Sequence, residues 1–440
     1  MASLLLSTLQ HLEQAGIQYC ILRDAEQINT RKANAEIDLV VAKRQMKQLW
    51  TNLTRLGFIA LPSWGHTPHR FFVGYDMMND CWLKLDVVTD IAYGYPYHTM
   101  YTDLAVHCLA RRRKEQGVYT PATEDELIML IFHCILDKRR FDEHRRQRIK
   151  TLCNRISDEQ AVVSLLQHYG QPTLSWPQLA AWINNDQWHE LLALRPTLSK
   201  QLIQQQRFMV GVRQMQQRLL RKLNQWLNQR RPRSITVAIL APDGAGKSTV
   251  VAGIQQTFYF PVYTTYMGLY QKGGSRRSTA GILGTGFLYR LIQQWRRYAT
   301  ARYQQARRKL VIFDRYTYDS LLPSGKPLTR LQQWRRWLLA HACPAPNLVI
   351  LLDAPGEVLY ARKKEHSVEL LESRRQSYLN LQTEVPQTVV IDATQDMQTV
   401  RRMITKAIWG GYVLRQAGQP VSGIRDQIQE YCGIPNNVLS

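Results

Sequence analysis

The chain reads as an α/β protein in two parts: a carboxy-terminal parallel sheet flanked by helices, preceded by a small α+β unit with a helical extension. Three observations predict this. After residue 234, near-continuous apolar runs alternate with helical stretches, the pattern of a parallel sheet covered on both faces. A glycine-rich turn joins the first of those runs to a helix. Before residue 120, shorter apolar runs are separated by turn signals, and a helical pattern follows them. The length of 440 residues suits two or three domains, and 45% hydrophobic residues can build sizeable cores.

Taken in order, Leu4 to Ala15 has helical spacing. Gln18 to Leu22 and Ile37 to Val41 read as strands, Gln45 to Leu56 as a helix, and Phe71 to Tyr75 and Trp82 to Val88 as further strands. From Thr123 the pattern turns helical, with Glu124, Asp125 and Glu126 at the start, where acids suit a helix dipole. Residues 199–230 read as one Gln- and Arg-rich helix. Phe208, Val212, Met215, Leu219, Leu223 and Trp226 form a stripe on it that is expected to pack on a neighbour. The proline in Arg230-Arg-Pro-Arg-Ser234 ends that helix and marks the junction. The predicted segments are therefore 1–120, a helical extension and linker over 121–233, a second domain over 234–409 and a tail over 410–440. In the second domain the strands are Ile235–Leu240, Leu310–Phe313, Leu348–Leu352 and Thr388–Ile391, and Thr249 to Phe258 is a helix.

The loop Ala241-Pro-Asp-Gly-Ala-Gly-Lys-Ser-Thr249 fits the P-loop pattern, with Ala241 in place of the first glycine. Glycines let backbone N–H groups wrap phosphates, and the helix that follows points its positive end at them. Asp243, Gly244, Ala245, Gly246, Lys247, Ser248 and Thr249 are thus the expected ATP-binding residues. Lys247 would sit at the β/γ-phosphates, and the Ser248 hydroxyl would ligate Mg²⁺. This predicts a P-loop NTPase sheet.

The loop resembles that of the thymidylate kinase family, in which an acid precedes Gly-x-Gly-Lys. Val311-Ile-Phe-Asp314-Arg315-Tyr316 resembles the family's Asp-Arg-Tyr/His motif. Leu351-Leu-Asp353 followed by Arg362, Lys363 and Lys364 resembles its strand, helix and basic lid, and Val390-Ile-Asp392-Ala-Thr394 its last strand near the adenine. The resemblance spans 234–409. It implies that Asp314 holds Mg²⁺ or orients the attacking group and that Arg315 neutralises charge on the acceptor or the moving phosphoryl group. It further implies that Arg362 and Lys363 close over the phosphates, that Asp243 faces the acceptor and that Thr394 lies by the nucleotide. The family's thymidine-recognising segment is not apparent. In its place stand Tyr266 to Tyr270 and a basic stretch, so the expected acceptor is an anionic small molecule or a carrier-linked one rather than simple thymidylate.

In the first part, Glu36-Ile-Asp38 puts two acids on one face of a strand, and Leu83-Lys-Leu-Asp86 supplies a third. Paired acids plus a distant third are how two-metal phosphoryl-transfer sites are built. With Tyr19 to Asp24 as first strand and turn, residues 1–150 resemble the polymerase-β-like nucleotidyltransferase fold. Glu36 stands where that family has Asp, and its Gly-Ser turn is missing. Glu36, Asp38 and Asp86 are the implied metal ligands. His133 alone reads as a core histidine.

The net charge is +23, and 244–313 contains no Asp or Glu. Such a field attracts anions: nucleotides, nucleic acid or an acidic membrane surface. Tyr289, Arg290, Trp295, Arg296 and Tyr298 read either as a face for a larger anion or as an amphipathic helix packed on the sheet. No apolar run reaches the ~20 residues of a membrane span, no signal peptide is read, and the seven scattered cysteines lack a Cys-x-x-Cys pair, so a cytoplasmic setting is expected. Three functions follow: a P-loop kinase, as part of surface-polysaccharide metabolism; a nucleic-acid end-modifying enzyme; or an ATP-dependent switch without small-molecule turnover.

Overall fold

The chain divides into two units, 1–230 and 231–440, in the computed structural model, and each is described by itself. The structure describes residues 4–23, 36–63, 66, 68–95, 97–169, 174–204, 207–226, 234–268, 285–323, 327–385, 387–418 and 428. Asp24, Tyr270, Lys272, Arg276 and Arg277 lie outside them, as does most of 419–440.

In the first unit, β1 (Tyr19–Ile21), β2 (Glu36–Val41), β3 (Ile59–Leu61), β4 (Arg70–Asp76) and β5 (Cys81–Val88) form a mixed sheet in the order β1-β2-β5-β4-β3. Only β2 and β5 run parallel. Two ribbons follow, β6 (Ile91–Tyr93) with β7 (Met100–Thr102) and β8 (Arg113–Glu115) with β9 (Val118–Thr120). Helices α1 (Leu4–Gln14) and α2 (Met46–Arg55) bury Leu9, Leu12, Leu49 and Leu53 together with the inward side chains Ile37, Leu39, Phe72 and Leu85 of the sheet. The rest is helical: α3 (Leu104–Arg111), α4 (Thr123–Phe132), α5 (Glu143–Cys153), α6 (Glu159–His168), α7 (Trp176–Asn184), α8 (Trp188–Ala193), α9 (Arg195–Gln204) and α10 (Arg207–Trp226). A six-residue π-turn, His133–Lys138, follows α4 and ends at Arg139 with φ 57°.

Helices α9 and α10 account for the expected helix over 199–230 where it lies among the described residues. One expectation changes here. The α10 stripe does not pack inward: Val212, Met215, Leu219 and Leu223 are exposed, while Gln217 is buried.

In the second unit, β10 (Thr236–Leu240), β11 (Val262–Tyr266), β12 (Leu310–Asp314), β13 (Leu348–Asp353) and β14 (Thr388–Asp392) form an all-parallel sheet in the order β11-β12-β10-β13-β14. Sequence reading missed β11, whose Val-Tyr-Thr-Thr-Tyr is half-exposed and lacks the continuous apolar run of its neighbours. Thr236-Val-Ala-Ile-Leu240 is buried throughout, as the central strand of a two-faced sheet must be. The helices are α11 (Lys247–Thr257), α12 (Thr285–Ala306), α13 (Arg330–Ala340), α14 (Gly356–Lys363), α15 (Val368–Glu384) and α16 (Met397–Gln416). Helix α16 runs past residue 409. Its fully buried Trp409 stacks on Phe260 at 5.8 Å between ring centroids, and Tyr412 lies 5.4 Å from the same ring.

Candidate functional site

The chain order reverses around β10: β12 lies on one side and β13 on the other. Ligands of open parallel sheets bind at such a switch point, beyond the carboxyl ends of the strands. The loop 241–246 leaves β10 there and enters α11 at Lys247. Gly244 and Gly246 have φ of 94° and 80°, where a side chain is strained. A Cβ on Gly244 would also stand 2.8 Å from the Leu359 carbonyl oxygen, so the glycine is needed for space as well as for conformation. Ser248 and Thr249 are exposed in the first turn of α11.

Asp314 ends β12, in register with Ile239 of β10. That register brings it to Lys247, and the two side chains form an ion pair. Burial, with the Arg315 guanidinium nearby, draws the Lys247 ammonium down to about 8, while Asp319 and Asp243 act in the opposite sense. Arg315 takes a left-handed backbone (φ 64°), which costs a non-glycine residue on the order of 1 kcal/mol or more. Its N–H donates to the Ile239 carbonyl at 3.2 Å. Its guanidinium donates to Asp243 at 2.9 Å and to the Tyr378 hydroxyl at 3.1 Å, with Asp319 at 3.6 Å. Burial raises the Asp319 carboxyl, and Arg315 opposes that shift.

Two arginines of α15 that sequence reading did not single out pair with acids of this domain, one of them, Arg374, within this cluster. Arg374 reaches Asp243 at 3.4 Å. Arg375 grips Asp353 through two bonds of 2.6 and 2.9 Å and also reaches Glu372 at 2.9 Å. They follow the motif strand by some twenty residues on an ordinary-looking helix, and no local pattern marks them. Arg362 instead donates to the Ala393 and Thr394 carbonyls at 2.8 and 3.4 Å, and Lys363 pairs with Glu365 at 2.8 Å. Thr394 is exposed, and its hydroxyl donates to Asp392 at 2.6 Å. The structure thus gathers Asp243, Lys247, Asp314 and Arg315 into one cluster, and places Arg362 and Thr394 together at the end of β14.

A second site lies in the first unit. Parallel pairing sets Asp38 beside Asp86 and Glu36 beside Lys84. One ligand atom from each of Glu36, Asp38 and Asp86 lies within 4.8 Å of the others, as expected from the sequence. Each acid also has a basic side chain beside it: Lys84 at Glu36 (2.8 Å), Arg23 at Asp38 (3.8 Å) and His69 at Asp86 (2.9 Å). Burial pushes the Asp38 carboxyl up; Arg23 opposes this, while Asp86 and Glu36 add to it. Asp38 and Asp86 line a cavity of about 560 Å³. His133 lines it as well; it is buried, as expected, and its Nδ1 lies 3.0 Å from Asp137 of the same π-turn. Asp137 also accepts the Gly94 and Tyr95 N–H groups, at 2.8 and 3.1 Å.

Residues 287–404 match the thymidylate kinase family model. The match begins after the glycine loop, so the loop is identified by its own pattern and geometry. Among solved structures, the chain is similar to deoxyadenosine kinase from M. mycoides. One such structure holds dCMP with a flexible dCDP and another holds dATP, each at 17% identity. The alignments cover 39% of this chain and 96% and 97% of those chains, with TM-scores of 0.28 and 0.27. No curated protein matches the chain. The family match, the phosphate loop and the all-parallel sheet together define the second unit as a kinase-type P-loop domain, similar to thymidylate kinases over the matched residues. No helix among the described residues is long and apolar enough to cross a membrane.

Proposed function

We propose that the second unit transfers the γ-phosphoryl group of ATP to an anionic acceptor. One observation carries this reading: Lys247 of the glycine loop and Asp314 of β12 meet at the switch point, next to the Arg315–Asp243 pair. Phosphoryl transfer depends mainly on positioning and charge stabilisation, and these residues supply both. The loop amides and Lys247 hold the triphosphate. Asp243, Arg315 and Arg374 form the wall against which the acceptor binds, and the arginines offset its charge. The Ser248 hydroxyl and the Asp314 carboxylate are hard oxygen donors and suit Mg²⁺. When bound, the ion offsets charge on the phosphate oxygens.

The acceptor in this reading is a phosphorylated or carrier-linked molecule, such as surface-polysaccharide metabolism would supply, because basic residues stand where thymidine would be recognised. The test is phosphate transfer across a panel of nucleotides, phosphosugars and lipid-linked phosphates. Asp314→Ala should keep ATP binding and lose transfer. ATP consumption by no acceptor in the panel would leave the switch reading in its place.

A second reading concerns the first unit, and the grouping of Glu36, Asp38 and Asp86 favours it. In this reading the acids hold divalent cations and the unit is nucleotidyltransferase-like. Titration with Mn²⁺, followed by electron paramagnetic resonance, tests it. Asp38→Asn with Asp86→Asn should release the ion, and equal binding by wild type and variant would refute the assignment.

A further inference from the structure

Surface helices normally turn their apolar stripe towards the core. Helix α12 carries a long apolar stripe outward instead. Leu288, Ile292, Trp295, Ala299 and Tyr303 recur at steps of four, three, four and four, and so form one stripe about 22 Å long. All five are exposed, the four larger ones by half or more. The opposite side carries Gln294 and Gln305, which are 2% and 8% exposed. Gln305 donates to the Ser234 carbonyl at 3.1 Å and Gln294 to the Gly268 carbonyl at 3.5 Å, while Tyr298 stacks on Phe313 of the sheet at 6.4 Å. Ala301 on this side is fully buried. The helix is therefore anchored by a side of glutamines, Tyr298 and Ala301, while its long apolar stripe faces outward. Helix α13 adds to the surface. Leu331, Trp334 and Trp337 are more than half exposed, and Arg335 lies 5.9 Å over the Phe287 ring of α12, where the two helices adjoin.

The charge on these helices has one sign. Helix α12 contains Arg290, Arg296, Arg297 and Arg302, and α13 contains Arg330, Arg335 and Arg336, with no acid in either. From Gly244 to Leu352 the only acids are Asp314 and Asp319, and both lie in the site described above. A second copy of this face would bring like charges together. Nucleic acid suits arginine and aromatic rings, which stack on bases, but it offers nothing to Leu288, Ile292 and Leu331. A lipid surface with anionic headgroups suits all three kinds of residue. Aliphatic side chains enter the acyl boundary, Trp and Tyr rings sit at headgroup depth, and arginines meet the lipid charge.

We propose that the outward face of α12 and α13 docks the second unit on an anionic bilayer as a peripheral contact, without a membrane span. The proposal does not depend on the kinase reading, since none of these side chains belongs to the phosphate site.

The test is sedimentation of the full chain with vesicles of phosphatidylcholine containing about 30 mol% phosphatidylglycerol, against pure phosphatidylcholine, at about 0.1 M salt. The expected result is binding at least about tenfold tighter to the anionic vesicles, weakening as salt rises. Ile292→Glu with Trp295→Glu, and separately Trp334→Glu with Trp337→Glu, should each reduce binding about tenfold or more while the circular dichroism spectrum and the thermal shift on ATP stay as in the wild type. Because these side chains are exposed, the variants should fold; should either pair fail, Arg296→Ala with Arg335→Ala tests the same face by charge alone. Three results would overturn the proposal: no sedimentation above background with anionic vesicles, binding that is unchanged in the variants, or a dimer in light scattering that the variants split. A single-stranded RNA bound through this face, with no vesicle binding, would reassign it to nucleic acid.

Discussion

The two sites solve the problem of collecting phosphate-related charge in different ways. The site at the end of β10 is built from backbone: a turn with two glycines at positive φ and the start of α11, with one lysine added. The site at β2 and β5 is built from side chains: three carboxylates set together by strand register, each with its own basic partner. A backbone site leaves a trace in consecutive residues, because the glycines and the lysine must follow one another. A side-chain site leaves its trace in strand alternation, which many ordinary strands share.

The contrast can be broken or sharpened by experiment. The largest effect is expected at Lys247. Lys247→Ala should abolish the thermal shift on ATP and lower kcat/KM by on the order of a hundred- to a thousandfold. An unchanged shift would remove the nucleotide site altogether. Next in size is Gly244→Val, which combines the wrong backbone region with the approach to the Leu359 carbonyl. It should cost about 2 kcal/mol or more in thermal unfolding, and more than a valine at Gly418, whose Cβ would meet nothing within 4 Å. In the first unit, Asp86→Asn should weaken Mn²⁺ binding about tenfold or more by calorimetry and leave the ATP response untouched. If Asp86→Asn changed nothing, the three acids would be a structural cluster held by Lys84, Arg23 and His69.

The smallest effect concerns pH. A lysine held at about 8 is charged below that pH and neutral above it. Bound phosphate favours the charged form, so ATP affinity should be flat below pH 8 and fall up to about tenfold per unit above it. Lys247→Arg stays charged throughout and should flatten the profile, whatever its effect on affinity. A wild-type profile that is flat to pH 10 would place the lysine elsewhere in charge balance.

Much of the fold was legible because the relevant signals are local. Thr236–Leu240, Leu310–Asp314, Leu348–Asp353 and Thr388–Asp392 announce themselves as buried strands through unbroken apolar runs, and the glycine loop through its spacing. What stayed hidden depends on tertiary placement. Arg374 and Arg375 acquire meaning only because α15 packs beside β13, where Asp353 lies. His133 could be read as buried, yet its partner Asp137 one π-turn later and the cavity beside it could not. The stripe on α10 was visible as periodicity and α12 could be read as amphipathic, but neither signal says which side faces inward. Gln217 of α10 and Gln294 and Gln305 of α12 are inside, while the long apolar stripe of each helix is outside.

The pairing of Lys247 with Asp314 has a consequence for how the phosphate site responds to salt. A phosphate arriving at the lysine and a cation arriving at the carboxylate exchange partners with an ion pair that already exists. The number of opposite-charge contacts rises little, and few mobile ions need be displaced. Nucleotide uptake should therefore depend less on ionic strength than a contact made through the net positive charge of the surface. A chain with a charge of +23 would then carry, in its second unit, a site that works by ion exchange.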